Sequence, residues 1–224
     1  SPIPTFLFCA IIETGVKTKG GTIMKADCAN CPHHACYTRG ANCTGVKEEE
    51  IRKAYTEEER KIMEAAAYVE GTYYSDICRL QETAEFAKKM GYKKLGLAFC
   101  IGLHEEARYI VKYFRQQGFE VYSICCKNCS FAKKNFGLKQ VHPEAEHEAM
   151  CNPKFQARFL AEKGVDLNII CGLCVGHDTI FTSNAVGPVT SLVVKDRLLA
   201  HNPLGAIYSR YWRKKLHIQD EDEI

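Results

Sequence analysis

The chain has 224 residues, of which 46% are hydrophobic, and its 30 Lys and Arg residues nearly balance its 27 Asp and Glu residues. This length accommodates one α/β domain with a small appendage and enough apolar residues to bury a core. The near-balance of charge argues against nucleic acid or an acidic membrane as the main partner. One short basic cluster, residues 210–215, is interpreted as a solvated helix end followed by the acidic residues 220–223.

Thirteen cysteines are the most informative feature of the composition. A chain of this size does not need disulfides for stability, and no secretory leader is recognised in it. The apolar run at residues 6–12 is too short to cross a bilayer. We therefore expect a cytoplasmic protein with no membrane association, in which clustered thiols bind metal or take part in redox chemistry.

Three segments are predicted along the chain. Residues 1–23 share no pattern with the rest of the chain, and Met24 comes just before the first cysteine cluster, so residues 1–23 are interpreted as an extension of doubtful origin. Residues 24–90 combine a Cys-rich, metal-binding loop with helices, and residues 91–224 form an α/β domain. The helices of the second segment are predicted at residues 48–70, with a Thr56–Glu59 capping box and an end at Gly71, and at residues 75–89.

The third segment alternates short apolar runs, which predict strands, with amphipathic stretches, which predict helices. The strands are predicted at residues 95–99, 119–124, 166–170 and 190–194, and the helices at residues 105–117 and 154–163. Such alternation is typical of a parallel sheet with right-handed crossovers. We therefore predict an α/β fold with helices on both faces of a parallel sheet (Rossmann-like), preceded by a small Cys-rich loop and a helical segment.

Cysteines lie where the predicted strands end. Because ligands bind at the carboxyl ends of parallel strands, thiols placed there are expected to build a site. A helix N-terminus lowers the pKa of a thiol, which suits a cysteine before the helix at residues 154–163. The cysteines at these positions are Cys100 after the first strand, Cys125 and Cys126 after the second with Cys129 nearby, Cys171 and Cys174 after the third, and Cys151 before the helix.

Free cysteines often serve as small buried hydrophobes, and this interpretation is accepted for Cys78, which lies in a predicted helix. Chance clustering is a weak explanation for six or more thiols at three strand ends and one helix start. If three of them hold a cubane, one iron is open to substrate, whereas four ligands favour electron transfer or a structural role. The sequence leaves this count open and permits one or two clusters. The candidate ligands of the core cluster are Cys100, Cys126, Cys151 and Cys174, with Cys125 as a further metal ligand.

A separate group of four cysteines lies upstream, with the spacing C-x2-C-x4-C-x6-C. Structural zinc usually takes two close pairs separated by a longer arm, whereas three tightly grouped thiols are closer to iron–sulfur proteins. The spacing therefore favours an iron–sulfur (4Fe-4S) cluster, and zinc, for which His33 or His34 could substitute as a ligand, is the alternative. These candidate metal ligands are Cys28, Cys31, Cys36 and Cys43.

Three residues near the strand ends are candidates for chemistry beyond metal binding. His177 and Asp178 follow the C-x-x-C segment and could form an acid/base pair, or be a hydrogen-bonded histidine beside a capping aspartate. Lys195 follows the fourth strand and could bind an anion or offset the charge of a thiolate-bound cluster. A surface salt bridge is the competing interpretation for Lys195.

Four segments resemble the signature of a family of unknown function, whose members are described as predicted metal-binding proteins. The segments are residues 149–153 (AMCNP), 172–178 (GLCVGHD), 193–197 (VVKDR) and 201–203 (HNP). The resemblance covers about residues 24–210 and implies metal binding without naming a reaction. It implies ligand roles for Cys28, Cys31, Cys100, Cys126, Cys151 and Cys174, whereas Cys129 and Cys171 look like local additions.

Three functions are compared on this basis. The first is an iron–sulfur protein with redox or sulfur/substrate chemistry at a core cluster, served by a small molecule or a redox partner. The alternative is a zinc-binding structural or recognition module without catalysis. A thiol oxidoreductase using Cys171-x-x-Cys174 is the third, and metal occupancy is favoured over it because other thiols surround the motif. Whether the protein is an enzyme, and its oligomeric state, are left open.

Overall fold

The computed structural model describes residues 28–219, so the interpretation of residues 1–23 and of Met24 lies outside the described residues. The chain divides into two units, Ser1–Lys61 and Ile62–Ile224. The described part of the first unit holds short elements: a 3-10 turn at Cys28–Asn30, helix α1 (Ala35–Thr38), helix α2 (Glu48–Ala54) and the start of helix α3 (Glu57–Tyr73). None of its residues from 28 to 61 is buried.

The helix predicted at residues 48–70 is two helices, because a new N-terminus forms at Thr56. The predicted capping box is confirmed: the Glu59 N–H donates to Thr56 Oγ1 over 3.2 Å, and the Thr56 N–H donates to the Glu59 carboxylate over 2.7 Å. A capped N-terminus satisfies amides that a continuous helix would have bonded internally. The predicted end at Gly71 is wrong, since α3 continues to Tyr73.

The second unit alternates helices and strands as predicted. All four predicted strands are confirmed within one residue at each end, and the helices at 105–117 and 154–163 are confirmed in the same way. The helix predicted from residue 75 begins later, so that Cys78 is its exposed N-cap residue, and the interpretation of Cys78 as buried is wrong. In chain order the elements are α4 (Arg79–Lys89), β1 (Lys94–Phe99), α5 (His104–Gln116), β2 (Glu120–Cys125), α6 (Pro153–Glu162), β3 (Leu167–Cys171), α7 (His177–Asn184), β4 (Val189–Val193), α8 (Gly205–Tyr208) and α9 (Arg210–Leu216).

The four strands form one parallel sheet in the order β2-β1-β3-β4. One apolar cluster packs α4 and α5 on one face of the sheet, and a second cluster packs α6 and α7 on the other face, which confirms the α/β prediction. The chain moves outward from β1 to β2 and then returns to β3 on the other side of β1. This reversal makes the carboxyl ends of β1 and β3 the switch point, where such sheets bind ligands.

Side chains alternate between the two clusters along β1. Leu95, Leu97 and Phe99 pack toward α5, whereas Ala98 and Cys100 pack toward α6. This two-residue period follows from the pleat of a strand, and it decides on which face each strand-end thiol lies. Among the described residues, no helix is both long enough and apolar enough to cross a bilayer.

Candidate metal centre

Three cysteines from three different elements meet at the carboxyl edge of the sheet. Cys100 comes directly after β1, Cys126 directly after β2, and Cys151 shortly before α6. The Cys126 thiol lies close enough to the thiols of Cys100 and Cys151 for both to raise its pKa. Cys100 and Cys126 are buried, and Cys151 is half-buried. We call these three residues the thiol centre.

Backbone hydrogen bonds hold the thiol centre in place. The Cys100 N–H donates to the Cys171 carbonyl over 3.1 Å, and the Cys126 N–H donates to the Phe99 carbonyl over 2.9 Å. The Asn152 N–H donates to the Cys126 carbonyl over 2.8 Å, which joins the start of α6 to the end of β2. The backbone segments that hold the three thiols are therefore fixed by hydrogen bonds that continue those of the sheet.

Strand alternation sends two of the predicted thiols away from the centre. Cys125 packs against the apolar cluster beside α5, and Cys171 is fully buried in that same cluster. Burial raises the pKa of Cys171 to about 12, so this thiol stays protonated at neutral pH. The structure thus does not bring Cys125 to the thiol centre, and it gives Cys171 the environment of a core residue. A thiol oxidoreductase that starts from the Cys171 thiolate finds no support here.

The first thiolate of the centre is Cys100. Hydrogen bonding from Cys126 lowers its pKa to about 5, against the opposing effect of burial, and the Gly102 N–H and the Lys195 ammonium lower it further. The pKa of Cys126 is raised far above its usual range, because the neighbouring Cys100 and Cys151 thiolates and burial all favour its protonated form. The centre therefore holds its charge on the outer sulfurs, with one retained proton between them.

The second thiolate is Cys151, whose pKa is also lowered to about 5. Its hydrogen bond from Cys126 is the main cause, and the positive charges of Lys127 and His177 add to it. The Lys127 ammonium is fixed by a hydrogen bond to the Ala149 carbonyl. Each outer thiolate thus has a cation of its own, which offsets the cost of burying negative charge.

Glycines make room for this arrangement beside Cys100. A Cβ on Gly102 would lie 3.4 Å from Lys195 Nζ and 4.0 Å from Cys100 Sγ. Gly172 has a φ of +63°, and a Cβ there would lie only 2.1 Å from Leu103 Cδ1. Side chains at these positions would displace the lysine or the 3-10 turn that follows Cys100.

Cys174 lies beside the centre but has a different partner. Arg197 donates a hydrogen bond from Nη2 to Cys174 Sγ over 2.9 Å, and this bond raises the pKa of Arg197. The negative charges of Cys100 and Cys151 also raise the pKa of Arg197. Arg197 is thus the cation that links Cys174 to the other thiols.

The KDR and HNP segments form one turn. The Asp196 N–H donates to His201 Nδ1 over 3.1 Å, and the His201 N–H donates to the Asp196 carbonyl over 2.9 Å. Asp196 Oδ1 also accepts the backbone N–H groups of Leu198 and Leu199. Because the turn is closed in this way, the residues on either side of Asp196, which are Lys195 and Arg197, both reach the thiols.

The predicted acid/base pair separates into two local roles. His177 begins α7, and its charge acts on the Cys151 thiolate. Asp178 accepts the N–H of the next residue, Thr179, over 2.7 Å within the first turn of α7. The capping interpretation of Asp178 is therefore wrong, because Gly176 is the N-cap residue, and of the two side chains only His177 acts on the thiol centre.

The upstream cysteines are exposed, apart from the half-buried Cys31. The backbone N–H groups of His33 and His34 lower the pKa of the Cys31 thiol. Amide hydrogen bonds of this kind favour the thiolate, the form that binds metal. The structure does not bring Cys28, Cys36 or Cys43 to Cys31 as a ligand set.

The sulfur donors of the thiol centre suit a soft metal. In this structure, however, the three side chains are arranged as thiols that interact with one another through Cys126. In residues 28–219, no group of three or more His, Cys, Asp or Glu side chains is arranged to hold a metal ion. In the metal-free protein the Cys126 thiol keeps its proton, because its pKa is raised far above its usual range. Metal binding to thiolates releases such protons, so loss of that proton is the change that metal binding would require.

Lys127 and Gln156 belong to the site and were not predicted from the sequence. Lys127 follows Cys126 directly, and its position after a strand end was a usable signal. Gln156 lies on the buried face of α6 and bonds to the ends of β1 and β2. A single glutamine within an amphipathic helix gives no signal of such a role in one sequence.

Fold and site together define an α/β protein with a three-cysteine centre at the switch point of its parallel sheet. The chain belongs to the family described as "Protein of unknown function (DUF1847)", whose model matches residues 39–192, a range that contains the whole thiol centre and Cys174. It is 49% identical over 190 residues to an uncharacterized protein of Methanocaldococcus jannaschii, covering 84% of this chain and 97% of that protein. No solved structure matches the chain.

Proposed function

We propose that this protein binds a metal cofactor at the thiol centre, with an iron–sulfur cluster held by Cys100, Cys126 and Cys151 as the preferred occupant. The observation that carries the proposal is the contact of the Cys126 thiol with both of the other two thiols. Soft thiolate donors select iron–sulfur clusters, zinc or copper(I) over harder cations. If a metal took the place of the Cys126 proton, all three sulfurs would be thiolates. The same cations would still surround them.

Two features favour a cluster over structural zinc. Structural zinc sites are closed by four ligands, often from local pairs, whereas these three thiols come from three separate elements. A further thiol at this edge, Cys174, is engaged by Arg197. The centre also lies at the edge of the sheet where ligands reach the protein. Three ligands at an open edge suit a cluster with one accessible iron.

The surrounding side chains of this chain have definable roles in such a centre. Lys195 and Lys127 would hold the thiolates of Cys100 and Cys151, and Arg197 would attract a small anionic molecule or the surface of a redox partner. His177, beside Cys151, is placed to hold a proton near the site. When bound, the cluster would supply a Lewis-acidic iron or a one-electron couple.

Metal analysis of protein purified without oxygen tests this proposal. We expect about four irons and as many acid-labile sulfides per cluster, with a brown colour and broad absorption in the visible. A colourless protein that takes up no iron during anaerobic reconstitution would refute the cluster. Stoichiometric zinc without sulfide would instead support the zinc alternative at the same thiols.

A second candidate, a zinc-binding structural module, concerns the upstream cysteines. The observation that favours it is that no described residue from 28 to 61 is buried, although the segment forms helices and turns. Segments of this size without a core usually depend on metals, disulfides or a partner. Cys31, whose thiolate is favoured by two backbone amides, is the best-prepared ligand of this segment.

Limited proteolysis with and without a chelator tests the module. If a metal orders this segment, chelation should expose residues 28–61 to cleavage, and Cys31→Ser should do the same without a chelator. Cys78→Ser, which changes an exposed thiol at the start of α4, is the control. Cleavage that is unchanged by the chelator and by Cys31→Ser would exclude a metal-dependent module.

A further inference from the structure

Gln156 joins three elements beneath the thiol centre. It is fully buried on α6, and its Nε2 donates to the Phe99 carbonyl over 3.2 Å and to the Ile124 carbonyl over 2.9 Å. The Phe99 carbonyl also accepts the Cys126 N–H over 2.9 Å. One side-chain amide thus ties α6 to the last residue of β1 and to the next-to-last residue of β2.

Each of these three elements carries one thiol of the centre. Cys100 follows Phe99 at the end of β1, and Cys126 is bonded to the same Phe99 carbonyl from the end of β2. Cys151 lies just before α6, whose first turns contain Gln156. The distance of α6 from the two strand ends therefore sets the distance of Cys151 from the other two thiols.

The side-chain amide of Gln156 leaves one of its polar atoms without a hydrogen-bond partner. Gln156 Oε1 is buried and has no hydrogen-bond partner within the described residues. A buried acceptor without a partner is destabilising, and an apolar side chain of similar size would avoid that penalty. The two donated hydrogen bonds are therefore the reason to have glutamine at this position.

We propose that Gln156 is a positioning residue of the thiol centre, which sets the spacing of Cys100, Cys126 and Cys151 by clamping α6 to the ends of β1 and β2. The inference concerns the same site as the proposed function and deepens it. Residues that support metal ligands from behind typically change metal affinity by roughly 10–100-fold when they are replaced. The clamp also acts on the metal-free protein, so it can be tested without any metal.

A matched control exists at the other end of the sheet. Asn168 is also a buried amide, its Nδ2 donates to the carbonyls of Val186 over 2.8 Å and Pro188 over 3.3 Å, and its Oδ1 is likewise unsatisfied. It lies near the amino end of β3, whereas the thiol centre lies at the carboxyl edge. Asn168→Leu therefore removes the same kind of clamp without touching the thiols.

The experiment compares Gln156→Leu and Asn168→Leu with the wild-type chain in two measurements. Dibromobimane, which links two neighbouring thiols, is applied to metal-free protein, and the linked cysteines are identified by peptide mass spectrometry. Cobalt(II) is titrated anaerobically, and its thiolate charge-transfer absorption reports the dissociation constant. We expect Gln156→Leu to lose the links of Cys126 to Cys100 and Cys151 and to bind cobalt roughly 10–100-fold more weakly.

Asn168→Leu should lower thermal stability but keep both the links and the cobalt affinity. Wild-type linking and affinity in Gln156→Leu would overturn the inference, as would equal losses in both variants, which would indicate a general structural role. Gln156→Met, which keeps the length of the side chain, replaces Gln156→Leu if the latter does not fold. If the wild-type chain links but binds no cobalt, loss of linking in the Gln156 variant supports the clamp while the metal proposal fails.

Discussion

Arg197 donates a hydrogen bond from Nη2 to Cys174 Sγ over 2.9 Å. Cys174 therefore has a different partner from the thiols of the centre. The Cys126 thiol, in contrast, has its hydrogen bonds with Cys100 and Cys151. Two kinds of thiol therefore lie at the same edge of the sheet. Cys126 interacts with both Cys100 and Cys151, whereas Cys174 is hydrogen-bonded to a cation, Arg197.

Cys174→Ser should leave metal content within about twofold of the wild type, because the three thiols of the centre are untouched. Arg197→Gln should likewise keep the metal but slow the association of anionic ligands or partners, since it removes the exposed cation beside the site. Metal analysis and ligand-association kinetics at two salt concentrations measure these effects. Complete loss of metal in Cys174→Ser would show that Cys174 is an essential ligand.

Cys100 and Cys151 should react with iodoacetamide well below the pH at which ordinary cysteines react. Their pKa values are lowered to about 5, whereas the pKa of Cys171 is raised to about 12 by burial. Because the thiolate is the nucleophile, alkylation of metal-free protein at pH 7 should favour the first two and spare Cys171. Site-resolved mass spectrometry over pH 4 to 9 measures this, and equal rates at all three cysteines would contradict it.

The stability of the metal-free protein should rise with pH between about 5 and 9. Cys100 and Cys151 are deprotonated in the folded chain over this window but protonated in the unfolded chain, so the unfolded state binds more protons. The stabilisation is complete above the unfolded pKa and is lost as the pH falls toward 5. Urea unfolding of the wild type and of Cys100→Ser measures it. The variant should show a shallower slope, and identical slopes would count against the thiolate assignment.

The two lysines beside the centre should act on different thiols. Lys195 lowers the pKa of Cys100, and Lys127 lowers that of Cys151. Lys195→Met should therefore raise the pH at which Cys100 becomes reactive while leaving Cys151 nearly unchanged, and Lys127→Met should do the reverse. Each variant is thus the control for the other. The same alkylation profiles decide the matter, and a joint shift of both cysteines in either variant would refute the pairing.

Gly172→Ala should be far more destabilising than Gly164→Ala. Both glycines have a φ of +63°, but a Cβ on Gly172 would lie 2.1 Å from Leu103 Cδ1, whereas nothing lies within 4 Å of a Cβ on Gly164. The left-handed backbone alone should lower the free energy of unfolding by about 1–2 kcal/mol in each variant. The contact with Leu103 should add roughly 1–3 kcal/mol for Gly172. Chemical denaturation measures both, and equal losses would show that the turn after Cys100 moves freely.

The sheet was predictable because its strands are short apolar runs between amphipathic helices. Helix α7 was missed, since its eight residues, His177–Asn184, bury only Phe181 and so lack a clear apolar face. The break of the helix at Thr56 was missed although its capping box had been recognised. Local sequence signals thus located most of the helices and strands. They misplaced the ends of helices where a capping residue inside a helical pattern sets the boundary.

The site was predictable in part. The strand ends predicted that Cys100 and Cys126 lie at one edge with Cys151, because the carboxyl ends of parallel strands share one edge. Which of the adjacent Cys125 and Cys126 faces the centre depends on the last residue of β2, a boundary that one sequence does not fix. Lys195 was a candidate because it follows the fourth strand, whereas the clamp of Gln156 arises from tertiary contacts, which leave no local pattern.

The most direct test of the central claim is the iron and acid-labile sulfide content of anaerobically purified wild-type, Cys126→Ser and Cys78→Ser proteins. Cys126 contacts both other thiols of the centre, whereas Cys78 is an exposed residue at the start of α4. The account predicts that wild type and Cys78→Ser contain iron and sulfide in matching amounts and that Cys126→Ser loses the metal of the centre. Unchanged iron and sulfide in a folded Cys126→Ser protein would contradict it.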